Sequence, residues 1–394
     1  MRDTNTGREP EQAPRAAVKP RRRFLLGGLA AGGALLVGWG LQPPRQRLRG
    51  ARALAAESGA VALNGWVAIA PDGTISIVVP RSEMGQGVNT ALPTLLAEEL
   101  DAPLEAVRIS AAPIDKIFGN LTLLRENLPF HPDDRGRLKQ GVQWVMGKVG
   151  RELGIMFTGG STSVKDAWGP MREAGAVARA MLVRAAAEEW KTDPARLITL
   201  DGNVIHPDGR RAPYGMLAAR AAVVGADIEP GDVRLKTPGE FRLIGKPLPR
   251  RDTPNKVNGS ALFGIDARPE GLLYAALRMA SAMGGTVASF DAAKVLKMPG
   301  VHGVIDVSNA LPEYSGAGAG VAVVAASWWQ AKQAAQALDV KWNPGPHATL
   351  SSRAIFDGLR RALDEESGYT YFESGSQEGL AGTHSISAEY SAPF

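Results

Sequence analysis

The chain has 394 residues, with 45 Lys+Arg against 40 Asp+Glu, 44% hydrophobic side chains and no cysteine, which is apolar material for roughly two or three packed domains. Without sulfur, thiolate catalysis, zinc fingers and protein-ligated iron–sulfur clusters are excluded, so a redox metal has to arrive on a cofactor or sit in a partner. The net charge of +5 is unevenly spread: residues 1–55 hold eleven Lys/Arg and three Asp/Glu, leaving 34 basic and 37 acidic residues beyond them, too balanced a remainder for a nucleic-acid binder.

Arg21-Arg22-Arg23-Phe24-Leu25-Leu26 opens an uncharged run that reaches Leu41. This is the layout of a twin-arginine export signal and predicts a periplasmic protein, with residues 1–55 as signal segment. The glycines make the run only mildly hydrophobic, and Ala53-Leu54-Ala55 offers small residues where a signal peptidase reads, so cleavage is expected after Ala55. The run is also long enough for an inner-membrane anchor over residues 24–41, and Arg45, Arg47, Arg49 and Arg52 sit awkwardly between it and the cleavage site. Twin-arginine export carries folded proteins, commonly ones that acquire a cofactor beforehand.

Val61–Ala70 and Thr74–Val79 read as a hairpin turning at Pro71-Asp72-Gly73. A glycine-bearing loop, Arg81 to Val88, leads to a helix capped by Asn89 or Thr90 and ending near Leu100, and Val107–Ser110 reads as a strand. Residues 113–158 show no period. A second small-residue loop, Gly159-Gly160-Ser161-Thr162-Ser163, precedes a helical pattern over Val164–Trp190 that Pro170 is expected to divide. Arg196–Ala212 reads as hairpins, followed by a helix from Pro213. Residues 229–259 look like a domain boundary, and Ala261–Trp342 reads strand, strand, helix, strand, strand, helix, strand: a small α+β domain. Residues 344–380 are expected to be loop, and Ser385–Phe394 a strand at which the chain breaks off.

Glu83-Met84-Gly85-Gln86-Gly87-Val88-Asn89-Thr90 sets two glycines around a glutamine just before a helix. Glycines let a backbone approach a ligand, a helix N-terminus offers N–H donors, and the Gln86 amide suits a heterocycle or phosphate. Gly160, Ser161, Thr162 and Ser163 repeat the design with hydroxyls; an ordinary turn and an ordinary cap are the plain alternatives. The loop is neither a P-loop nor a serine–lysine nucleophile site, lacking the required lysine and serine spacing. The five histidines, at 131, 206, 302, 347 and 384, have no ligand spacing, so no metal-ligating residue is assigned. Trp328-Trp329 are expected in a core, at least one of Glu98 and Glu99 on a solvated face, and no general base is assigned.

Together these stretches resemble the large, molybdopterin-binding subunit of the molybdenum hydroxylases, the xanthine oxidase and aldehyde oxidoreductase superfamily, in its exported isoquinoline 1-oxidoreductase beta-subunit-like branch. The residues that carry the resemblance are Arg22–Leu25, Glu83–Gly87, Gly160–Trp168, and Ile244–Pro247 through Asp252–Gly259 to Phe263–Asp266. The resemblance implies an α+β fold: a molybdopterin-binding domain over residues 56–235, a smaller α/β hammerhead domain over 242–343, and over 344–394 a linker and the start of a second, truncated molybdopterin-binding domain. It implies a molybdenum–molybdopterin cofactor, as the cytosine dinucleotide, contacted by Gly85, Gln86, Gly87, Gly160, Ser161, Thr162 and Ser163. The implied activity is oxidative hydroxylation of an N-heteroaromatic or aldehyde carbon in a small-molecule substrate. Electrons would leave to a [2Fe-2S] small partner subunit, with a cytochrome c as a further candidate acceptor. The family's catalytic glutamate lies late in a chain roughly twice as long, and no residue here matches it. These residues alone are therefore expected to be inactive, as the N-terminal half of the enzyme. The competing expectation is a non-catalytic exported binding or cofactor-assembly module.

Overall fold

The computed structural model describes residues 46–50, 54, 59–310, 318–370, 372–375 and 386–393. The twin-arginine run and Leu41 lie outside the described residues, as do Ala53 and Ala55. The chain divides into two units, residues 1–260 and 261–394.

In the first unit, β1 (Val61–Ala62), β2 (Val67–Ile69), β3 (Ile75–Val79) and β4 (Val107–Ala111) form one sheet in that order. The expected first strand is broken at Leu63–Trp66, and its two ends pair with each other, Val61 opposite Ile69. The turn at Pro71-Asp72-Gly73 joins β2 to β3 as expected, with Gly73 at φ 89°. Strands β3 and β4 are parallel, Ile75 opposite Val107, so the chain must cross over between them, and helix α1 (Val88–Leu100) makes that crossover. A three-stranded antiparallel sheet, β5 (Ile198–Leu200), β6 (Asn203–Ile205) and β7 (Arg211–Pro213), leads to the helix Tyr214–Val224.

Residues 113–158, where no period was expected, hold helices α2 (Leu121–Glu126) and α3 (Arg137–Leu153), the latter with Leu138, Val142, Val145 and Val149 at helical spacing. Helix α4 runs unbroken from Ser163 to Trp190, with Pro170 inside it. The proline removes the N–H that Asp166 C=O would accept, but that carbonyl takes a bond from Arg47 Nη1 at 3.4 Å, so the lost partner is replaced. Helix α4 packs its alanine face, Ala174 and Ala178, on Leu92 and Leu96 of α1. A Cβ at Gly175 would collide with the Leu96 carbonyl oxygen, which fixes glycine at this crossing.

Both Glu98 and Glu99 are buried, at 1% and 0% exposure, against the expected solvated face. The segment after Asp232 covers them. Glu98 accepts from the N–H groups of Arg242, Leu243 and Ile244 and from Lys236 Nζ at 2.9 Å. Glu99 accepts two bonds from Arg172 and one from Lys236 N. Burial pushes the Glu98 pKa up, but the Leu243 and Ile244 donors and Lys236 more than offset it, so the carboxyl lies below its usual value.

The second unit contains β8 (Tyr274–Met279), β9 (Thr286–Asp291), β10 (Val301–Asp306), β11 (Gly320–Ala325), helix α7 (Trp328–Ala337) and β12 (Asp339–Asn343). The expected first helix is a single turn, Val295–Lys297; the numbering α5 and α6 belongs to Tyr214–Val224 and Thr253–Val257. Strands β10, β11 and β8 make one antiparallel sheet, and β12 pairs with β9. Trp328 and Trp329 are 52% and 64% exposed, contrary to expectation, because α7 turns Ala331, Ala334 and Ala335 inward onto Val321 and Val323. Ser352–Glu365 is an amphipathic helix, α8, started by Ser351 accepting from Ala354 N, where a loop was expected. Residues 386–393 form no strand.

Glu98→Gln removes the charge that Lys236 and three N–H groups share, and one amide oxygen cannot accept from all of them. It is therefore expected to cost about 3–5 kcal/mol near neutral pH by denaturant unfolding, even with Lys236 still held by Asp101. Because the folded-state pKa is lowered, this contribution is complete above the unfolded glutamate value of ~4.3 and disappears as pH falls through the folded value. The wild-type and Glu98→Gln midpoints should therefore converge on acidification; parallel curves would contradict the assignment.

Candidate functional site

A cleft of about 600 Å³ is lined by Pro80–Met84 and Asn89, which flank the Gly85–Gly87 turn, and by Met156, Phe157 and Thr158, the residues just ahead of the second loop. Ser82 N–H donates to Thr158 Oγ1 at 3.0 Å, stitching the first loop to the residues just before the second. Behind them, Asp166 Oδ2 accepts from Arg81 at 2.6 Å and from Arg47 at 3.0 Å, and Oδ1 accepts from Leu121 N–H at 2.8 Å. Arg81 is the last residue before the first loop and Asp166 lies in the first turn after the second, so one buried carboxylate sets the two loops against each other. Arg81 Nη1 also bonds the carbonyls of Pro80 and Phe118, whereas its buried Nε has no partner among the described residues.

The first loop is closed from within. Glu83 Oε1 accepts from Gly85 N–H and Gly87 N–H, each at 2.9 Å, and Oε2 from Asn89 N–H at 3.0 Å. Glycines 85 and 87 have φ of 105° and 88°, conformations that would strain any other residue at these positions. Burial raises the Glu83 pKa, and the three N–H donors, Asn89 foremost, reverse this and hold it below its ordinary value. Helix α1 thus starts at Val88 behind Gly87, and the expected caps Asn89 and Thr90 do not act as caps. Gln86 is turned to its own loop, donating to Ser82 O at 2.8 Å and accepting from Met84 N–H at 2.5 Å. What the loop leaves open is its backbone face: no atom lies within 4 Å of where a Gly85 Cβ would stand.

The second loop keeps Gly160 and Ser161 in left-handed conformations, φ 62° and 55°, with Ser161 exposed. Thr162 is buried, its Oγ1 held by Asn120 Nδ2 at 2.6 Å and bonded to Gly159 O. Ser163 begins α4, and no side chain caps this helix end. None of the seven residues singled out in the sequence lines the cleft itself: Gly85, Gln86 and Gly87 follow Met84 of its lining, and Gly160, Ser161, Thr162 and Ser163 begin two residues after Thr158. The structure turns the side chains of Gln86 and Thr162 toward protein partners.

Arg81, Asp166 and Arg250 were missed because their partners lie far away in sequence, and Glu83 because its own turn, Gly85, Gly87 and Asn89, was read as open to a ligand. Arg250 Nη1 donates to Gly85 O at 2.8 Å, Nη2 to Glu83 at 3.3 Å, and its fork also grips Asp252. Arg250 and Lys256 lower the Asp252 pKa to about 2. A larger cleft of about 780 Å³ near Asp101 includes Arg179, Arg234 and Lys236, but these already pair with Asp101 or Glu240. No group of three or more metal-ligating side chains occurs among the described residues.

Arg250→Ala is expected to leave the fold intact and to raise amide exchange at Gly85 and Gly87 about tenfold, since both rely on the Glu83 carboxylate it holds. Arg250→Lys should behave similarly, because an ammonium cannot span Gly85 and Asp252 together. Unchanged exchange in both variants would show that the turn holds itself.

The model of the family described as the molybdopterin cofactor-binding domain matches residues 30–121, a stretch that includes the Glu83–Asn89 turn. The beta subunit of isoquinoline 1-oxidoreductase from Brevundimonas diminuta is 33% identical over 73% of this chain and 36% of its own length. Membrane-bound aldehyde dehydrogenase (pyrroloquinoline-quinone) of Gluconacetobacter polyoxogenes is 30% identical over 82% of this chain and 37% of its own length. A nicotinate dehydrogenase subunit of Pseudomonas putida is 25% identical over 71% of this chain and 20% of its own length. The chain therefore spans 36%, 37% and 20% of these relatives. Over this part of its length the chain is similar to molybdopterin-binding members of the xanthine oxidase family.

Proposed function

We propose that this chain is the N-terminal part of the large subunit of an exported molybdenum hydroxylase. Its reaction is oxidative hydroxylation of an aldehyde or N-heteroaromatic carbon, with electrons passed to an iron–sulfur partner subunit. In this reading residues 56–235 hold one side of the cofactor, 242–343 form the hammerhead domain and 344–394 begin the second cofactor-binding domain. The observation that carries it is the shared cleft, with the Glu83–Asn89 turn and the loop before α4 joined by Ser82–Thr158 and by Arg81–Asp166.

The residues present fit a dinucleotide-linked molybdopterin. Arg81, Ser82, Asn89 and Thr158 line the cleft, and the open backbone at Gly85 and the exposed Ser161 follow within three residues of that lining. Gly85, Gln86 and Gly87 would hold it on one rim, and Gly160, Ser161, Thr162 and Ser163 on the other. When bound, the molybdenum cofactor supplies the two-electron redox chemistry and the transferable oxygen. The chain's own part is orientation: neutral amides and hydroxyls position a polyanion without placing a titrating group beside the metal. Glu83 keeps its charge and directs it at Gly85, Gly87 and Asn89, so the turn is formed before any ligand arrives.

Elemental analysis of the full-length protein, coexpressed with its small iron–sulfur partner, should find about one molybdenum per large subunit. A fully folded complex without molybdenum overturns the reading. Gln86→Ala removes the brace on the exposed turn and should lower molybdenum occupancy about tenfold at limiting cofactor with the fold unchanged; full occupancy would remove Gln86 from the contact set.

A further inference from the structure

Residues 46–50 stand just ahead of Ala55, on the side that a signal peptidase would discard, yet they are built into the first unit. Arg47 is buried, and its Nε donates to Ile117 O at 2.8 Å while Nη2 donates to Gly119 O at 2.7 Å and to Asp166 at 3.0 Å. Its carbonyl takes the indole N–H of the fully buried Trp66 at 2.7 Å, and its guanidinium lies 5.7 Å from that ring's centroid. Leu48 is buried in the main core, and its carbonyl accepts from Gly65 N–H at 2.7 Å. Gln46 O accepts from Arg151, and Arg49 pairs with Glu229 at 3.3 Å.

Cleavage after Ala55 would strip one of two cations from Asp166, the donor from the carbonyls of Ile117, Gly119 and Asp166, and the acceptor from the Trp66 indole. Buried polar groups without partners are costly, and this segment carries several at once. The arginines that look misplaced in a signal peptide have structural work: Arg47 and Arg49 both bond to the folded unit.

We infer that the mature protein keeps residues 24–50, with the apolar run from Phe24 to Leu41 as an N-terminal membrane tether and the folded unit beginning at Gln46. The four residues between, Gln42-Pro43-Pro44-Arg45, contain no pair of small residues spaced for a signal peptidase. The apolar run, 18 residues, is at the short end of what crosses a bilayer, and the arginines before it hold its start on the cytoplasmic side. This inference does not depend on molybdenum: it rests on the packing of Arg47 and Leu48 and on the sequence of residues 24–45.

The test is N-terminal sequencing and fractionation of the full-length protein made in a host with twin-arginine export. The expected outcome is a first residue at or before Phe24 and retention in the membrane pellet after an alkaline carbonate wash. A mature N-terminus at Ala56, or anywhere after Phe24, overturns the inference, as does release of the protein into the soluble periplasmic fraction. In the same host, Arg47→Ala is expected to reduce the folded, protease-resistant protein about tenfold or more; undiminished resistance would show that the segment is dispensable and overturn its structural premise.

Discussion

One carboxylate organises the first unit. Asp166 is 5% exposed and accepts from Arg47, Arg81, Leu121 and Thr122. A lone charge so deeply buried would be severely destabilising; two guanidinium groups and two backbone N–H groups satisfy it. Because its donors come from three places in the chain, the bond set fixes where α4 begins, where α2 begins and where the Glu83 turn leaves β3. The cleft geometry is a by-product of that arrangement.

A similar arrangement recurs along α1. Its last turn places Glu98 and Glu99 inside the protein, where Lys236, Arg172 and the N–H groups of residues 242–244 receive them. Arg172 in turn lies 5.0 Å from the Trp168 ring centroid and 5.1 Å from that of Phe241, so the ion pair is covered by aromatic faces. A polar segment after residue 232 that looks like linker is in fact a strap on the first unit.

The sequence was legible where the signal is local. The Pro71-Asp72-Gly73 turn, the helix ending at Leu100, the hairpins after Ile198 and the order of elements from Tyr274 to Asn343 all follow from spacing and turn residues. It was illegible where a distant partner decides. Glu98 and Glu99 read as surface residues because nothing nearby announces Lys236 or Arg172. Pro170 reads as a break because the guanidinium that replaces its lost bond comes from Arg47. In α3 and α8 the apolar positions Leu138, Val142, Val145 and Val149, and Ile355, Leu359 and Ala362, do keep helical spacing, so these helices were legible but went unread. The Gly85–Gly87 turn was visible as a ligand-ready loop, but not that Glu83 already occupies its donors. The opposite error occurred at Trp328 and Trp329, where the small alanines of the helix, not its large rings, face the sheet.

The strap has a mechanical meaning. It is anchored to the two extremities of a single rod: Lys236 and residues 242–244 grip the tail of α1 through Glu98, and Arg250 and Arg251 grip its head through Gly85 and Thr90. A pull transmitted from residue 253 onward is thus shared between head and tail and loads the rod along its axis, the direction in which a helix is stiffest.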